Sequence, residues 1–169
     1  ALDDADFLAR AQEVFGWRAG RFLSCAPRSS HPAVRVVAQR TIAPRAVLVG
    51  NAAQTIHPIG AQGFNLGLRD ALTLAELIAE ARAQDACADC GSDTLLRRYA
   101  ERRGEDRERT IGFSDGLARL TANDAPLLRP LRSLGLFAVD RVASAQSFLV
   151  GGAMGYRGDV PALCREVRA

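Results

Sequence analysis

The stretch from Val47 to Asp70 constrains the fold of this chain more than any other part of it. A short apolar run ending at Gly50 is typical of a buried strand, and a strong helical pattern begins near Phe64. Very small residues and a proline-containing, glycine-rich loop lie between them. Such a loop can place successive N–H groups on one side, in front of a helix start with unpaired N–H groups and partial positive charge. The segment therefore favours an anion or a ring oxygen that becomes negative, although the same glycine spacing also fits a strand-to-helix connection without a ligand.

The remaining elements are predicted from hydrophobic periodicity and turn residues. A short amphipathic helix is expected first, then an antiparallel pair of extended segments, and then a buried strand that has no obvious parallel neighbour. After these, only helices and loops are expected. The predicted boundaries are a helix over 4–16, extended segments over 21–26 and 33–41, a strand over 46–49, helices over 64–84, 92–120 and 126–142, an apolar stretch over 148–150 and a glycine-rich loop over 151–158.

The two long helices differ in the faces that they are expected to bury. In the first, apolar residues recur every three or four positions and predict a buried face made of Leu68, Ala71, Leu72, Ala75, Ile78 and Ala79. In the second, arginines alternate with acidic residues from Arg97 to Arg109. This mixture of signs is typical of a solvated, salt-bridged helix surface and argues against a nucleic-acid stripe.

Composition excludes several classes of protein. The chain has 169 residues, 48% of them hydrophobic and 24% charged, and a formal net charge of +3. These values fit an ordinary globular domain and give no reason to expect a polyanion partner. We predict no membrane-spanning helix and no signal peptide. Cys87 and Cys90 form a C-x-x-C pair without a second pair of ligands, so we assign no metal.

The second FAD-binding motif of the class A flavoprotein monooxygenases closely resembles three consecutive parts of the chain: Gly50-Asn51-Ala52-Ala53, His57-Pro58 and Gly60-x-x-Gly63-Phe64-Asn65-Leu66-Gly67-x-x-Asp70. Within that class the pattern is most similar to the aromatic-ring hydroxylases of ubiquinone biosynthesis, specifically the subgroup acting on 2-polyprenyl-6-methoxyphenol. The resemblance continues downstream through Arg98-Tyr99, Arg102-Arg103-x-x-Asp106-Arg107 and Thr110-Ile111-Gly112-Phe113-Ser114-Asp115.

This resemblance implies specific cofactor contacts. The positions implied to bind FAD are Gly50, Asn51, Ala52, Pro58, Gly60, Gln62, Gly63, Phe64 and Asn65. Asn51 stands where the family usually has an aspartate that binds the ribitol or pyrophosphate region, and Gln54 stands where many relatives have a histidine. Pro58 is expected beside the flavin ring. His57 is expected near the ring too, as a loop histidine ordered by hydrogen bonds rather than as a general base, and no residue is assigned a certain catalytic role.

The resemblance also implies a fold and a division into domains. We expect an α+β, helix-rich chain that forms the C-terminal part of an FAD/NAD(P)-binding, glutathione-reductase-like hydroxylase fold. Residues 1–45 would be a remnant of the substrate-binding domain, with a short helix and antiparallel strands. Residues 46–84 would complete the FAD-binding domain as strand, loop and helix, and residues 85–169 would form a C-terminal helical region.

For the intact protein, the resemblance implies a flavoprotein monooxygenase in which NAD(P)H reduces FAD and O₂ then hydroxylates a polyprenylated phenol in ubiquinone biosynthesis. The implied partners are that substrate and other ubiquinone-pathway proteins, without nucleic acid. The implied location is the cytoplasm, with peripheral contact at the inner membrane face as an option.

The glycine motif that holds the ADP part of FAD does not occur in this chain. We therefore interpret the chain as an incomplete part of the enzyme, inactive alone, that begins inside the substrate domain and runs to the natural C-terminus. We expect it to bind FAD weakly or not at all and to self-associate. The alternative is a non-catalytic helical interaction or assembly module, which explains the missing motif but not the loop.

Overall fold

The computed structural model describes residues 2–32, 34–122, 125, 128–153 and 159–164. Helices make up most of this part of the chain, so the helix-rich prediction is confirmed. Three single 3-10 turns lie at Gly50–Ala52, Pro58–Gly60 and Ala162–Cys164. The helices and strands are α1 (Asp4–Phe15), β1 (Val36–Val37), β2 (Ile42–Ala43), β3 (Ala46–Val47), β4 (Gln54–Thr55), α2 (Gly63–Gln84), α3 (Asp93–Ala122), α4 (Leu128–Arg141) and α5 (Ala143–Ala153).

The chain divides into two compact units, Ala1–Pro32 and Ala33–Ala169. In the first, Asp3 caps α1 by accepting a hydrogen bond from the Asp6 N–H at 2.8 Å. The side chain of Gln12 then organises the chain beyond the helix. It donates to the Gly16 carbonyl at 2.7 Å and accepts from the Phe22 N–H at 2.8 Å.

The predicted pairing of residues 21–26 with 33–41 is wrong. Residues 21–26 form no strand, and β1 pairs antiparallel with β4 instead, with Val36 opposite Thr55. The turn residues between the two segments allowed them to pair, but β1 finds its hydrogen-bond partner further along the chain, in the loop that follows the 3-10 turn at residue 50.

The strand predicted over 46–49 is shorter and less buried than expected. Only Ala46–Val47 is strand, and Ala46 is exposed. This strand is not isolated, because β2 and β3 form an antiparallel hairpin with Ile42 opposite Val47. Arg45 adopts a left-handed backbone with φ of 56°, which lets the chain reverse within two residues.

In the second unit, α2 and α3 lie antiparallel as a helical hairpin. Ion pairs connect Glu80 with Arg98 and Glu76 with Arg102, so an earlier residue of α2 lies beside a later residue of α3. Near the connecting loop the interface is apolar, and its buried cluster consists of Leu77, Leu95, Leu96 and Tyr99. The β2–β3 hairpin packs against this cluster through Ile42 and Val47.

The face that α2 buries differs from the predicted one. Of the six residues expected in the core, Leu68, Ala71, Ala75 and Ala79 are exposed. The buried residues are Leu66, Arg69, Asp70, Thr73 and Leu77. Periodicity assigns charged residues to solvent, but here α3 brings opposite charges to them, which makes their burial tolerable. We call the exposed apolar row Phe64, Leu68, Ala71, Ala75 and Ala79 the α2 stripe.

The helix predicted over 126–142 is present as α4 in the described residues, and Pro126 lies outside them. The glycine-rich segment 151–158 is not a loop throughout, because α5 extends through residue 153, and residues 154–158 lie outside the described part. Backbone hydrogen bonds at 3.0 Å on either side of Val142 carry the helical path across the break. No helix in the described ranges has the length and apolar character needed to cross a bilayer.

Candidate functional site

An open cleft of about 680 Å³ lies where the 3-10 turn at residue 50, the loop after β4 and the first turns of α2 meet. Its volume falls in the range of sites that bind small molecules and cofactors. The walls consist mainly of backbone and small or apolar side chains. The lining residues are Gly50, Asn51, Thr55, Ile56, His57, Pro58, Ala61, Gly63, Phe64, Gly67 and Leu68.

The start of α2 presents backbone donors to this cleft. The first N–H groups of any α-helix lack partners within the helix and carry partial positive charge. The preceding residue, Gln62, provides no side-chain cap, and the first turn contains no acidic residue. Gly63 and Phe64 line the cleft, and the Phe64 side chain is 79% exposed. This end of the helix therefore suits a ligand atom that carries negative charge.

The loop that leads into the helix start is held in a strained conformation. Ala61 has a φ of 49°, in the left-handed region that costs a residue with a side chain about 1–2 kcal/mol. Its N–H donates to the Pro58 carbonyl at 3.0 Å, which closes the 3-10 turn. The α3 side chain of Ser114 donates to the His57 carbonyl at 3.0 Å. Tertiary contacts thus fix a loop whose strained backbone faces the cleft, as is common at binding sites.

Two glycines allow the 3-10 turn to lie directly against α2. A Cβ atom built on Gly67 would come within 3.0 Å of the Gly50 Cα atom, which is closer than ordinary van der Waals contact. Gly50 itself has a φ of 61°, which residues with side chains rarely adopt. The floor of the cleft therefore depends on the absence of side chains at these two positions.

Below the cleft, α2 and α3 enclose a buried polar cluster, which consists of Gln54, Arg69, Asp70, Arg103, Asp106 and Arg107. Arg103 donates to Asp70 at 2.8 Å and to Asp106 at 2.7 Å, and Arg69 donates to Asp106 at 2.8 Å. The side chains of these four residues are at most 8% exposed. Three guanidinium groups face two carboxylates, so the cluster carries one surplus positive charge.

Burial opposes the positive charge of Arg103, but hydrogen bonds and charges from Asp70 and Asp106 more than compensate and raise its pKa above the ordinary value. The guanidinium therefore stays charged inside the protein. Burial also raises the pKa of the neighbouring Tyr99, whose hydroxyl donates to the Leu48 carbonyl at 3.2 Å. The cluster is thus held by charge pairing, and removing one member would leave an uncompensated buried charge.

Gln54 and Arg107 connect this cluster to the backbone of the turn. The Gln54 amide donates to Asp70 through Nε2 at 2.8 Å and accepts from Arg107 through Oε1 at 2.8 Å. Arg107 also donates to the carbonyls of Ala38 and Ala53, at 2.8 and 3.0 Å. One guanidinium therefore holds both β1 and the turn in place. These contacts fix the orientation of the Gln54 amide, with Nε2 toward Asp70 and Oε1 toward Arg107.

The structure brings most of the residues with a predicted role to one place. Gly50, Asn51, His57, Pro58, Gly63 and Phe64 line the cleft, whereas Ala52, Gly60, Gln62 and Asn65 lie beside it in the same segment without lining it. Thr55, Ile56, Ala61, Gly67 and Leu68 also line the cleft and were not predicted. The cofactor roles of the predicted residues remain predictions.

The buried polar cluster was missed. The alternating charges of α3 indicated a solvated surface, yet Arg103 and Asp106 are buried. The available signal was spacing, since Arg103, Asp106 and Thr110 follow the buried Tyr99 at three- and four-residue intervals on the same face. Arg69 and Asp70 on α2 supply the complementary charges.

Comparison with known proteins gives the site a context. The FAD binding domain family matches residues 2–114. A ubiquinone hydroxylase of Rhodospirillum rubrum is 35% identical over 155 residues, covering 92% of this chain and 36% of that protein. The 3-demethoxyubiquinol 3-hydroxylase of Escherichia coli is 37% identical over 110 residues, covering 65% of this chain and 28% of that protein. The chain therefore spans well under half the length of these relatives.

A solved structure supports the fold. The Diels-Alderase of the pyrroindomycin pathway superimposes with a TM-score of 0.71 at 24% sequence identity, covering 93% of this chain and 32% of the other. The predicted resemblance to FAD-dependent hydroxylases of the ubiquinone type is confirmed by the family match and by the relatives. The chain belongs to the FAD binding domain family.

Proposed function

We propose that this chain forms one wall of the flavin site of an FAD-dependent monooxygenase that hydroxylates a polyprenylated phenol in ubiquinone biosynthesis. The observation that carries the proposal is the cleft itself, which is lined both by a loop in a strained conformation and by the helix start that follows it, without a side-chain cap or an acidic residue in its first turn. The family match supplies the cofactor, and the names of the relatives supply the class of substrate.

The residues present fit a flavin ring. A flat aromatic system needs apolar contact on its faces and hydrogen-bond donors at its polar edge. Here Ile56, Pro58 and Phe64 provide apolar contact, and the N–H groups at the start of α2 provide donors. No side chain at Gly50 or Gly67 fills the floor. When bound and reduced by NAD(P)H, FAD would activate O₂, one atom of which enters the phenol while the other leaves as water.

In this proposal the chain orients the flavin and the phenol and stabilises negative charge on the reduced ring. The N–H groups and partial positive charge at the start of α2 would stabilise negative charge on the N1–C2=O edge of the reduced ring. Pro58 would limit how the phenol approaches, because it lines the cleft and begins a turn that the Ala61 N–H closes. In the complete enzyme, residues 46–84 would complete a glutathione-reductase-like FAD-binding domain, and residues 1–45 would form part of the substrate-binding domain.

Flavin placement is tested by titrating the isotope-labelled chain with FMN and following its backbone amide resonances. We expect weak binding, with shifts confined to the turn at residue 50, the loop 56–61 and the first turn of α2. The matched control is Gly63→Asp, which places a carboxylate at the helix start and should abolish the shifts there by charge repulsion. Shifts spread over α4 and α5 would refute flavin binding at this cleft. An unchanged wild-type spectrum would exclude binding by the chain alone, and the FAD content of a full-length chimera would then decide whether the cleft holds a flavin.

The reaction is tested in a chimera. The region of the Rhodospirillum rubrum hydroxylase that matches this chain is replaced by it, and FAD content is measured before activity. We expect a yellow protein that oxidises NAD(P)H in the presence of a prenylated phenol and produces the hydroxylated ring. A chimera that holds stoichiometric FAD but forms no hydroxylated product would count against the reaction while leaving the cofactor assignment intact.

A further inference from the structure

We propose that Asp70 is the positioning residue of the cleft: its buried carboxylate fixes the Gly50 amide and the Gln54 side chain, and so sets where the backbone facing the flavin lies. The inference rests on the proposed flavin function and adds a role for a residue that does not line the cleft.

The geometry gives Asp70 three partners from three parts of the chain. One carboxylate oxygen accepts from the Gly50 N–H at 3.1 Å and from Gln54 Nε2 at 2.8 Å. The other accepts from Arg103 Nε at 2.8 Å. Asp70 is 1% exposed, so water does not compete for these bonds. A single carboxylate on α2 therefore joins the turn, β4 and α3.

The Gly50 contact affects the cleft because Gly50 is one of its lining residues. Its N–H points inward to the carboxylate, and its carbonyl accepts from the Ala53 N–H at 2.9 Å, which closes the 3-10 turn. Asn51 follows directly and also lines the cleft. If the Gly50 amide were released, the turn would lose its anchor on α2, and the position of Asn51 would change with it.

Only a carboxylate satisfies all three donors at once. An asparagine of the same shape has one acceptor oxygen, and its amide nitrogen must then face either Arg103 or the pair Gly50 and Gln54. Arg103 is buried and charged, and it will hold the oxygen because hydrogen bonds to charged groups are stronger. Asp70→Asn should therefore turn an N–H group toward Gly50 and release its amide.

Asp106 provides the matched control, because it belongs to the same buried polar cluster and pairs with Arg69 and Arg103 without contacting the turn. Asp106→Asn should lower stability to a degree comparable with Asp70→Asn, since each removes one buried negative charge. Asp89→Asn removes a carboxylate from an exposed pair with Arg45 and serves as the neutral control. A purely structural role for Asp70 would make the first two variants behave alike.

The experiment measures amide hydrogen exchange and FMN binding of the full chain by NMR. In the wild type we expect a protected Gly50 amide, shifted downfield by the carboxylate. In Asp70→Asn that amide should lose its protection and its downfield shift, and the Kd for FMN should rise about tenfold, because FMN must then order the released turn when it binds. Asp106→Asn, although destabilised, should keep the Gly50 signal and the Kd for FMN within about twofold of the wild type.

The outcomes separate this inference from the proposed function. A Gly50 amide that is equally protected in Asp70→Asn and wild type overturns the positioning role, whatever FMN does. Equal weakening of FMN binding in Asp70→Asn and Asp106→Asn overturns it too, since general destabilisation would then suffice. If the wild-type chain shows no FMN shifts, the FAD content of the Rhodospirillum rubrum chimera replaces the Kd: equal FAD loss in the Asp70→Asn and Asp106→Asn chimeras overturns the positioning role. A chimera with the wild-type chain that lacks FAD refutes the flavin function, whatever the Gly50 amide does. If Asp70→Asn does not fold, Asp70→Glu replaces it, with a smaller change in the Gly50 signal expected.

Discussion

The close approach of Gly67 to Gly50 predicts whether the substitution Gly67→Ala raises or lowers the free energy of unfolding. Gly67→Ala gains helix propensity of about 0.8–1.0 kcal/mol, because α2 is a regular helix at this position. The new Cβ would lie 3.0 Å from the Gly50 Cα atom, and forcing a methyl group into such a contact costs about 1–3 kcal/mol.

Gly50 cannot easily move away, since its left-handed backbone is held by the Asp70 carboxylate and by the closed turn. We therefore expect Gly67→Ala to lower the free energy of unfolding by about 1 kcal/mol.

The matched control is Gly112→Ala in the interior of α3, where a built Cβ meets no heavy atom within 4 Å and the residue is exposed. This variant should raise the free energy of unfolding by about 0.5–1 kcal/mol. The same glycine-to-alanine change should therefore destabilise at position 67 and stabilise at position 112, with the two variants about 2 kcal/mol apart.

Urea unfolding followed by far-ultraviolet circular dichroism measures both, because α2 and α3 contribute much of the helical signal. Equal stabilisation by the two variants would show that the turn yields to the methyl group and that the cleft floor is not rigid.

Three further predictions concern other parts of the second unit. Gln54→Leu leaves two charged partners without a buried hydrogen bond and should cost about 1–3 kcal/mol, whereas Gln84→Leu at the exposed end of α2 should change stability little; equal urea midpoints would contradict this. Burial raises the pKa of Tyr99 in the folded protein above the unfolded value of about 10. The contribution of Tyr99 to the free energy of unfolding is therefore complete below pH about 10 and decreases as the pH rises further. Tyr99→Phe, which loses the bond to Leu48, should be less stable at neutral pH but show a flatter alkaline decline in thermal midpoint, and parallel profiles would refute this. The α2 stripe should make the chain self-associate, and Leu68→Gln should reduce this in light scattering; a clean wild-type monomer at micromolar concentration would exclude it.

Much of the local structure was predictable because it depends on residues a few positions apart. The helix boundaries of α1, α2 and α3 follow from apolar spacing and capping residues, and the structure places them within two residues of the prediction. The cleft segment was also recognisable, since its glycines, proline and helix start are contiguous. α5 was not predicted as a helix, because only an apolar stretch over 148–150 and a glycine-rich loop over 151–158 were expected where Ala143–Ala153 is helical.

Strand pairing was not predictable in the same way. β1 had an acceptable partner nearby in residues 21–26, but it pairs with β4, which begins at Gln54. Two-residue strands carry little hydrophobic pattern, so tertiary packing selects among several possible partners. Here the guanidinium of Arg107 contributes to that selection by binding the carbonyls of Ala38 and Ala53 together.

The sequence by itself determined the first three helices and the position of the cleft-lining loop, because both depend on residues that are close together in the chain. Only the tertiary structure decided which charged side chains become the interior. Asp70 meets Gln54 from 16 positions before it and Arg103 from 33 positions after it. Charge pairing over such separations has no periodic signature, and a buried ion is tolerated only when its partners arrive with it. For that reason the same arginines and acids that indicate a solvated helix in the sequence hold the floor of the cleft in the folded protein.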